Sequence, residues 1–179
     1  MKYWGKLGAG LALLALLTGC GGGGGGDNTG GTNTPPPIVS VSVVAGDGLT
    51  ATLTESAAAI AKGGSVIYTE VLKNTTAKAI VLNQFASNAA APDADLTVLN
   101  SAGIVVYSSS QLKPGQNGPP APPGSTVTLS PGQSLTLSLT VTAFAQADTY
   151  AATAIFHVTE SGTGFQQNVK VGPLSLTAQ

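Results

Sequence analysis

The stretch SLTLSLTVT, residues 134–142, alternates without a break. Leu135, Leu137, Leu139 and Val141 fall on one side, and Thr136, Ser138, Thr140 and Thr142 on the other. That two-residue period belongs to a strand with one buried face. Residues 149–159 repeat it, with Tyr150, Ala152, Ala154, Phe156 and Val158 inward and Thr149, Ala151, Thr153, Ile155 and His157 outward. Further strands are expected at 38–44, 49–54, 65–73, 79–83, 96–100, 104–108, 125–129 and 169–171, with a last piece at 174–177. Asn100-Ser101-Ala102-Gly103 reads as a hairpin turn between two apolar runs. Ser130-Pro131-Gly132-Gln133 reads as another turn, in which Pro131 fixes one backbone angle and Gly132 frees the next. The alanine-rich segment 54–62 has room for one helical turn, ended by Gly63-Gly64. Short strands at regular spacing with polar turns predict an all-β chain, an immunoglobulin-like antiparallel β-sandwich of about 7–10 strands.

The N-terminus follows different rules. Lys2 and Lys6 precede an apolar run of about 11 residues, Leu7 to Leu17, the layout of a secretory signal peptide. A helix needs roughly 20 apolar residues to span a bilayer, so this run is too short for a permanent anchor. It closes on Leu17-Thr18-Gly19-Cys20, which resembles the lipobox of bacterial lipoproteins. The resemblance implies cleavage after Gly19 and lipidation of Cys20, which becomes the first residue of the mature chain. In that family an aspartate after the cysteine retains the protein at the inner membrane. Gly21 stands there instead, which favours the outer membrane or the cell surface.

Residues 21–37, GGGGGGDNTGGTNTPPP, have almost no apolar side chain to bury and cannot offset their ordering entropy. A glycine-rich coil of this length reaches roughly 23 Å. The glycines are not a phosphate-binding loop: no strand precedes them and no lysine follows at the required spacing. The chain thus divides into a signal peptide (1–19), a lipidated cysteine with a flexible linker (20–37) and a sandwich domain (38–179).

Composition narrows the chemistry. Charged residues make up 8% of the chain and there is no arginine, so no basic patch can neutralise phosphates, and nucleic acid is excluded as a partner. Cys20 is the sole cysteine, so the domain has no disulfide and its core must hold by packing. His157 is the sole histidine and its phase points it outward, which suits a sheet-surface residue better than a catalytic base. One histidine and one lipidated cysteine cannot assemble a zinc site. Asp93 and Asp95 fall short of the six to eight oxygens calcium takes and read as part of a polar turn. No enzyme activity, cofactor or metal is expected.

Ala147-Asp148-Thr149-Tyr150 has the form of a tyrosine corner, in which a tyrosine near the start of a late strand bonds back to the backbone. From about 66 to 158 the chain resembles the BsuPI-type proteinase-inhibitor domain, an immunoglobulin-like sandwich of bacterial proteins. The matching pieces begin with Tyr68–Leu72 before Asn74-Thr75-Thr76 and an aromatic-bearing strand near Val81–Phe85. They continue with Asp95 ahead of Leu96-Thr97-Val98, the Gly103 hairpin into Ile104–Ser108, the turn at Pro131-Gly132, and Tyr150. Ala94 and Leu96 stand where the family carries an aromatic, and Val106 and Tyr107 where it carries tryptophan. The resemblance implies a non-enzymatic module that binds proteins, a protease among them.

The candidate interaction loop is the long proline-rich segment 111–124, with Gln111, Leu112, Lys113, Pro114, Pro119, Pro120, Pro122 and Pro123. Proline stiffening lowers the entropy lost on docking. The alternative reading of the same segment is a solvated spacer that joins two sheets. The expected protein is therefore a membrane-anchored binding module of the cell envelope. The alternative is a structural surface lipoprotein with no inhibitory activity.

Overall fold

The alternation of SLTLSLTV becomes a strand whose leucines meet alternating residues of distant strands. The computed structural model describes residues 39–45, 48–83, 91–109 and 125–179, all within the compact unit Thr34–Gln179. They form eleven strands: β1 (Val39–Ala45), β2 (Leu49–Glu55), β3 (Ala59–Ile60), β4 (Val66–Asn74), β5 (Ile80–Asn83), β6 (Ala94–Leu99), β7 (Val105–Ser108), β8 (Thr126–Leu129), β9 (Ser134–Val141), β10 (Asp148–Thr159) and β11 (Gln166–Ala178). One sheet has the order β1-β2-β4-β9, the other β3-β11-β10-β6-β7, and β5 pairs with β8 in a two-stranded piece. The inner faces share one core, with Tyr68, Phe144, Phe156, Leu49, Leu53, Leu96, Leu174 and Leu176 fully buried. Each of these leucines and phenylalanines contributes roughly 1.5–3 kcal/mol on burial. This is the all-β immunoglobulin-like sandwich that the period implies.

Three local outcomes differ from expectation. Segment 54–62 forms no helical turn. The chain leaves the first sheet after Glu55 and joins the second as β3, parallel to the end of β11. The open edge of β11 engages the backbone here: Thr177 N donates to Ala58 O (2.9 Å), Gln179 N to Ile60 O (3.0 Å) and Lys62 N to Gln179 O (2.7 Å). An isolated helical turn would leave most of these groups to water. The pair is the parallel exception in an otherwise antiparallel arrangement of the described strands.

The pieces 169–171 and 174–177 are one strand, β11. Ala152 faces Leu174 while Ala154 faces Val171, so Gly172 and Pro173 together oppose Thr153 in a β-bulge. The bulge shifts the side-chain phase by one. Val169 and Val171 point inward before it, and Leu174, Leu176 and Ala178 point inward after it. A strictly periodic strand would have put one of these sets in water. Gly172 has φ +108°, and a Cβ there would lie 2.7 Å from Ala152 O, so glycine is required.

Asp95 lies in strand β6 and not in a polar turn; Asp93 immediately precedes that strand. The Asn100–Gly103 turn forms as expected, with Gly103 N donating to Asn100 O (2.9 Å) and Asn100 Oδ1 accepting from Ala102 N (3.1 Å) and Ile104 N (2.8 Å). At Pro131-Gly132, Gln133 N closes onto Ser130 O (3.0 Å). That turn carries the chain from β8 into β9, in a different sheet.

The interior is not purely apolar. Glu55, Glu70 and Asn74 are fully buried on the inner face of the first sheet. Asn74 is well matched: Nδ2 donates to Lys78 O (2.7 Å) and Leu129 O (2.9 Å), and Oδ1 accepts from Thr76 N and Thr76 Oγ1 (both 2.8 Å). Its backbone also bonds Gln133 O and Gly132 N, so one residue ties the β4–β5 loop to the β8–β9 turn.

Candidate binding face

The outward positions of β6, β10 and β11 form the exposed face of the five-stranded sheet. Strand period places Asp95, Thr97 and Leu99 of β6 there, beside Ala151, Thr153, Ile155 and His157 of β10. Register sets Leu99 opposite Ala151, Thr97 opposite Thr153, Asp95 and Lys170 on either side of Ile155, and Asn168 opposite His157. Thr97, Leu99, Thr153, Ile155 and Lys170 line a shallow depression of about 230 Å³.

Beside it, His157 is held at both ring nitrogens. Nε2 lies 3.1 Å from Asp95 Oδ2 and Nδ1 lies 2.9 Å from Asn168 Oδ1. Both partners are oxygen acceptors, so the doubly protonated imidazolium satisfies the pair. Desolvation pulls the His157 pKa down, but the Asn168 and Asp95 hydrogen bonds and the charges of Asp93 and Asp95 outweigh it, and the net shift is upward. Both ring nitrogens are thus engaged by neighbouring side chains. Among the described residues no group of three or more His, Cys, Asp and Glu side chains is placed to hold a metal ion.

The other sequence-derived positions distribute as follows. Tyr150 is buried and its hydroxyl donates to Gln146 O at 2.9 Å, the geometry of a tyrosine corner. Its ring meets Phe144 edge-on, centroids 5.0 Å apart. Pro131 and Gly132 shape the β8–β9 turn. Gly19, Cys20, Phe85 and the whole interaction loop 111–124 lie outside the described residues. Lys170, Asn168, Thr97 and Leu99 were not singled out by sequence. Their outward phase was readable, but the strand order that gathers them was not.

No protein-family model matches the chain, and no curated protein does. Among solved structures it is similar to the CARDB domain of the PF1109 protein of Pyrococcus furiosus, solved in complex with di-metal ions. The two are 14% identical over 82% of this chain and 90% of that one, with a TM-score of 0.36. It is also similar to the sporulation control protein Spo0M of Bacillus subtilis, 11% identical over 79% of this chain and 49% of that one, with a TM-score of 0.39. The all-β sandwich itself is set by the strand order and core described above.

Proposed function

We propose that this chain is a lipid-anchored, extracytoplasmic lipoprotein whose immunoglobulin-like sandwich is a protein-binding module without enzymatic activity. The observation that carries the reading is the exposed face of β6, β10 and β11: a depression with an apolar rim beside a histidine held at both nitrogens. Such a face offers a rigid contact surface whose histidine is already engaged at both ring nitrogens. Anchoring rests on Leu17-Thr18-Gly19-Cys20, and Gly21 favours the outer membrane or the cell surface. Acyl chains contribute about 0.8 kcal/mol per buried CH2, and two or more hold the chain firmly.

Two experiments test the reading. Mass spectrometry of the mature protein is expected to find an acylated Cys20 at the N-terminus, and Cys20→Ala to release the domain from membranes. A photo-crosslinker at Ala151, on the same face opposite Leu99, is expected to trap a discrete envelope protein, and Ile155→Arg to abolish that adduct while thermal unfolding stays cooperative. An unmodified Cys20 overturns the anchor; adducts indifferent to Ile155→Arg overturn the face.

A BsuPI-like inhibitory role is a second reading, favoured by five prolines within 111–124. It expects Gly/Ser replacement of 112–114 and 119–123 to abolish capture of a protease. Capture that survives the replacement leaves a module, or a structural envelope component, without inhibitory activity.

A further inference from the structure

The two exposed sheet faces treat their hydroxyls differently. On the four-stranded sheet opposing hydroxyls bond each other: Ser42 Oγ to Thr52 Oγ1 at 2.7 Å, and Thr69 Oγ1 to Ser138 Oγ at 3.2 Å. On the five-stranded sheet Thr97 and Thr153 also stand directly opposite. Among the described residues, however, neither hydroxyl has a partner. Opposed residues in an antiparallel pair hold their Cβ atoms about 4.5–5.5 Å apart, so two free donors sit side by side.

Lys170 borders the same depression from β11, opposite Ile155. Its side chain makes no ion pair among the described residues. The neighbouring charges of His157 and Asp95 are matched to each other at 3.1 Å. Lys170 is thus the unmatched charge at the depression. Its surroundings are two hydroxyl donors and the apolar rim of Leu99 and Ile155. The depression, about 230 Å³, is smaller than the roughly 300–1,000 Å³ of sites that enclose a drug-sized ligand. It suits one side chain and a neighbouring apolar group, not a whole metabolite.

We propose that this depression receives a carboxylate side chain, Asp or Glu, presented by an extended segment of a partner protein. The Lys170 ammonium and the Thr97 and Thr153 hydroxyls meet the carboxylate, and Leu99 and Ile155 meet the apolar residue beside it. A charge-assisted contact of this kind is roughly twice as strong as a neutral hydrogen bond. The inference rests on the binding-module reading above and specifies its ligand.

The test titrates the isotope-labelled full-length chain, in nonionic detergent micelles, with acetyl-Val-Glu-Val-amide and with its Gln and Lys counterparts, following amide shifts by NMR. The Glu peptide is expected to give saturable shifts at Thr97, Thr153, Ile155 and Lys170. Affinity is expected to fall about tenfold for the Gln peptide, and by a similar factor for the Glu peptide on Lys170→Gln. Equal binding of the Gln peptide, shifts centred elsewhere, or no saturation by ~10 mM overturns the proposal. Tighter binding of acetyl-Val-Val with a free terminal carboxylate overturns the side-chain assignment. The Ala151 crosslink separates this failure from failure of the binding face. An adduct lost on Ile155→Arg but kept on Lys170→Gln leaves the face standing and removes the carboxylate. An adduct kept on both removes the face.

Discussion

Glu55 and Tyr68 stand directly opposite each other in the β2–β4 pair, both fully buried, and among the described residues neither the carboxylate nor the phenol meets a hydrogen-bond partner. Burial pushes the Glu55 pKa from its ordinary 4.5 up to about 7. Burial, and then the Glu55 charge, push that of Tyr68 up as well. An acid whose folded pKa is raised binds its proton more tightly in the native state. Its contribution is full below pH 4.5 and is lost as pH rises through about 7. Urea unfolding is expected to show a domain less stable at pH 8 than at pH 4.5 by on the order of 1–3 kcal/mol. Glu55→Gln is expected to flatten that dependence, and an unchanged profile in the variant would show that Glu55 is not its source.

His157 works in the same direction over a higher range. Its folded pKa is raised, so its contribution is present below about 6.5 and declines as pH climbs through the folded value. His157→Gln is expected to remove this part of the pH dependence. The ring resonances of the wild type are expected to titrate above the ordinary histidine range by NMR.

Tyr150→Phe removes the donor to Gln146 O and keeps the ring against Phe144. A loss of about 1–3 kcal/mol is expected, since a part-buried carbonyl is left without its partner. Tyr150→Leu is expected to cost more, because the edge-on aromatic contact goes too. Denaturant midpoints with unchanged slopes check both.

Asn74→Asp turns the donors to Lys78 O and Leu129 O into acceptors facing acceptors. We expect a loss of about 2–4 kcal/mol, and faster amide exchange through β5 and β8, whose approach to the β4 end this residue sets.

Gly172→Ala places a methyl 2.7 Å from Ala152 O at φ +108°. The expected loss is at least ~2 kcal/mol. Because Thr153 lies across the bulge, amide shifts on the depression are expected to move with it.

Much of this was legible in the alternation. The inward and outward sets of β9 and β10 fall where their periods put them, and Tyr150 falls at the head of its strand. The same period also marks polar residues on the inner face. In LTATLTE, Glu55 is in phase with Leu49, Ala51 and Leu53, so its burial follows from the pattern. In VIYTEVLKN, Glu70 and Asn74 are in phase with Tyr68 and Leu72. The helical reading of 54–62 failed because alanine content reports local preference, whereas a neighbouring strand edge outbids it.

Sequence alone determined what each strand hides and what it shows, because side-chain direction along a strand depends only on counting residues by two. It also determined the charge-poor, arginine-free composition and the single cysteine behind a short apolar run. Tertiary structure decided which strands lie side by side. That choice put β3 on β11, the bulge opposite Thr153, and Lys170 beside Thr97 from more than seventy positions away. Pairing of distant strands is selected by the fit of whole inner faces in a shared core, and no local period encodes that fit.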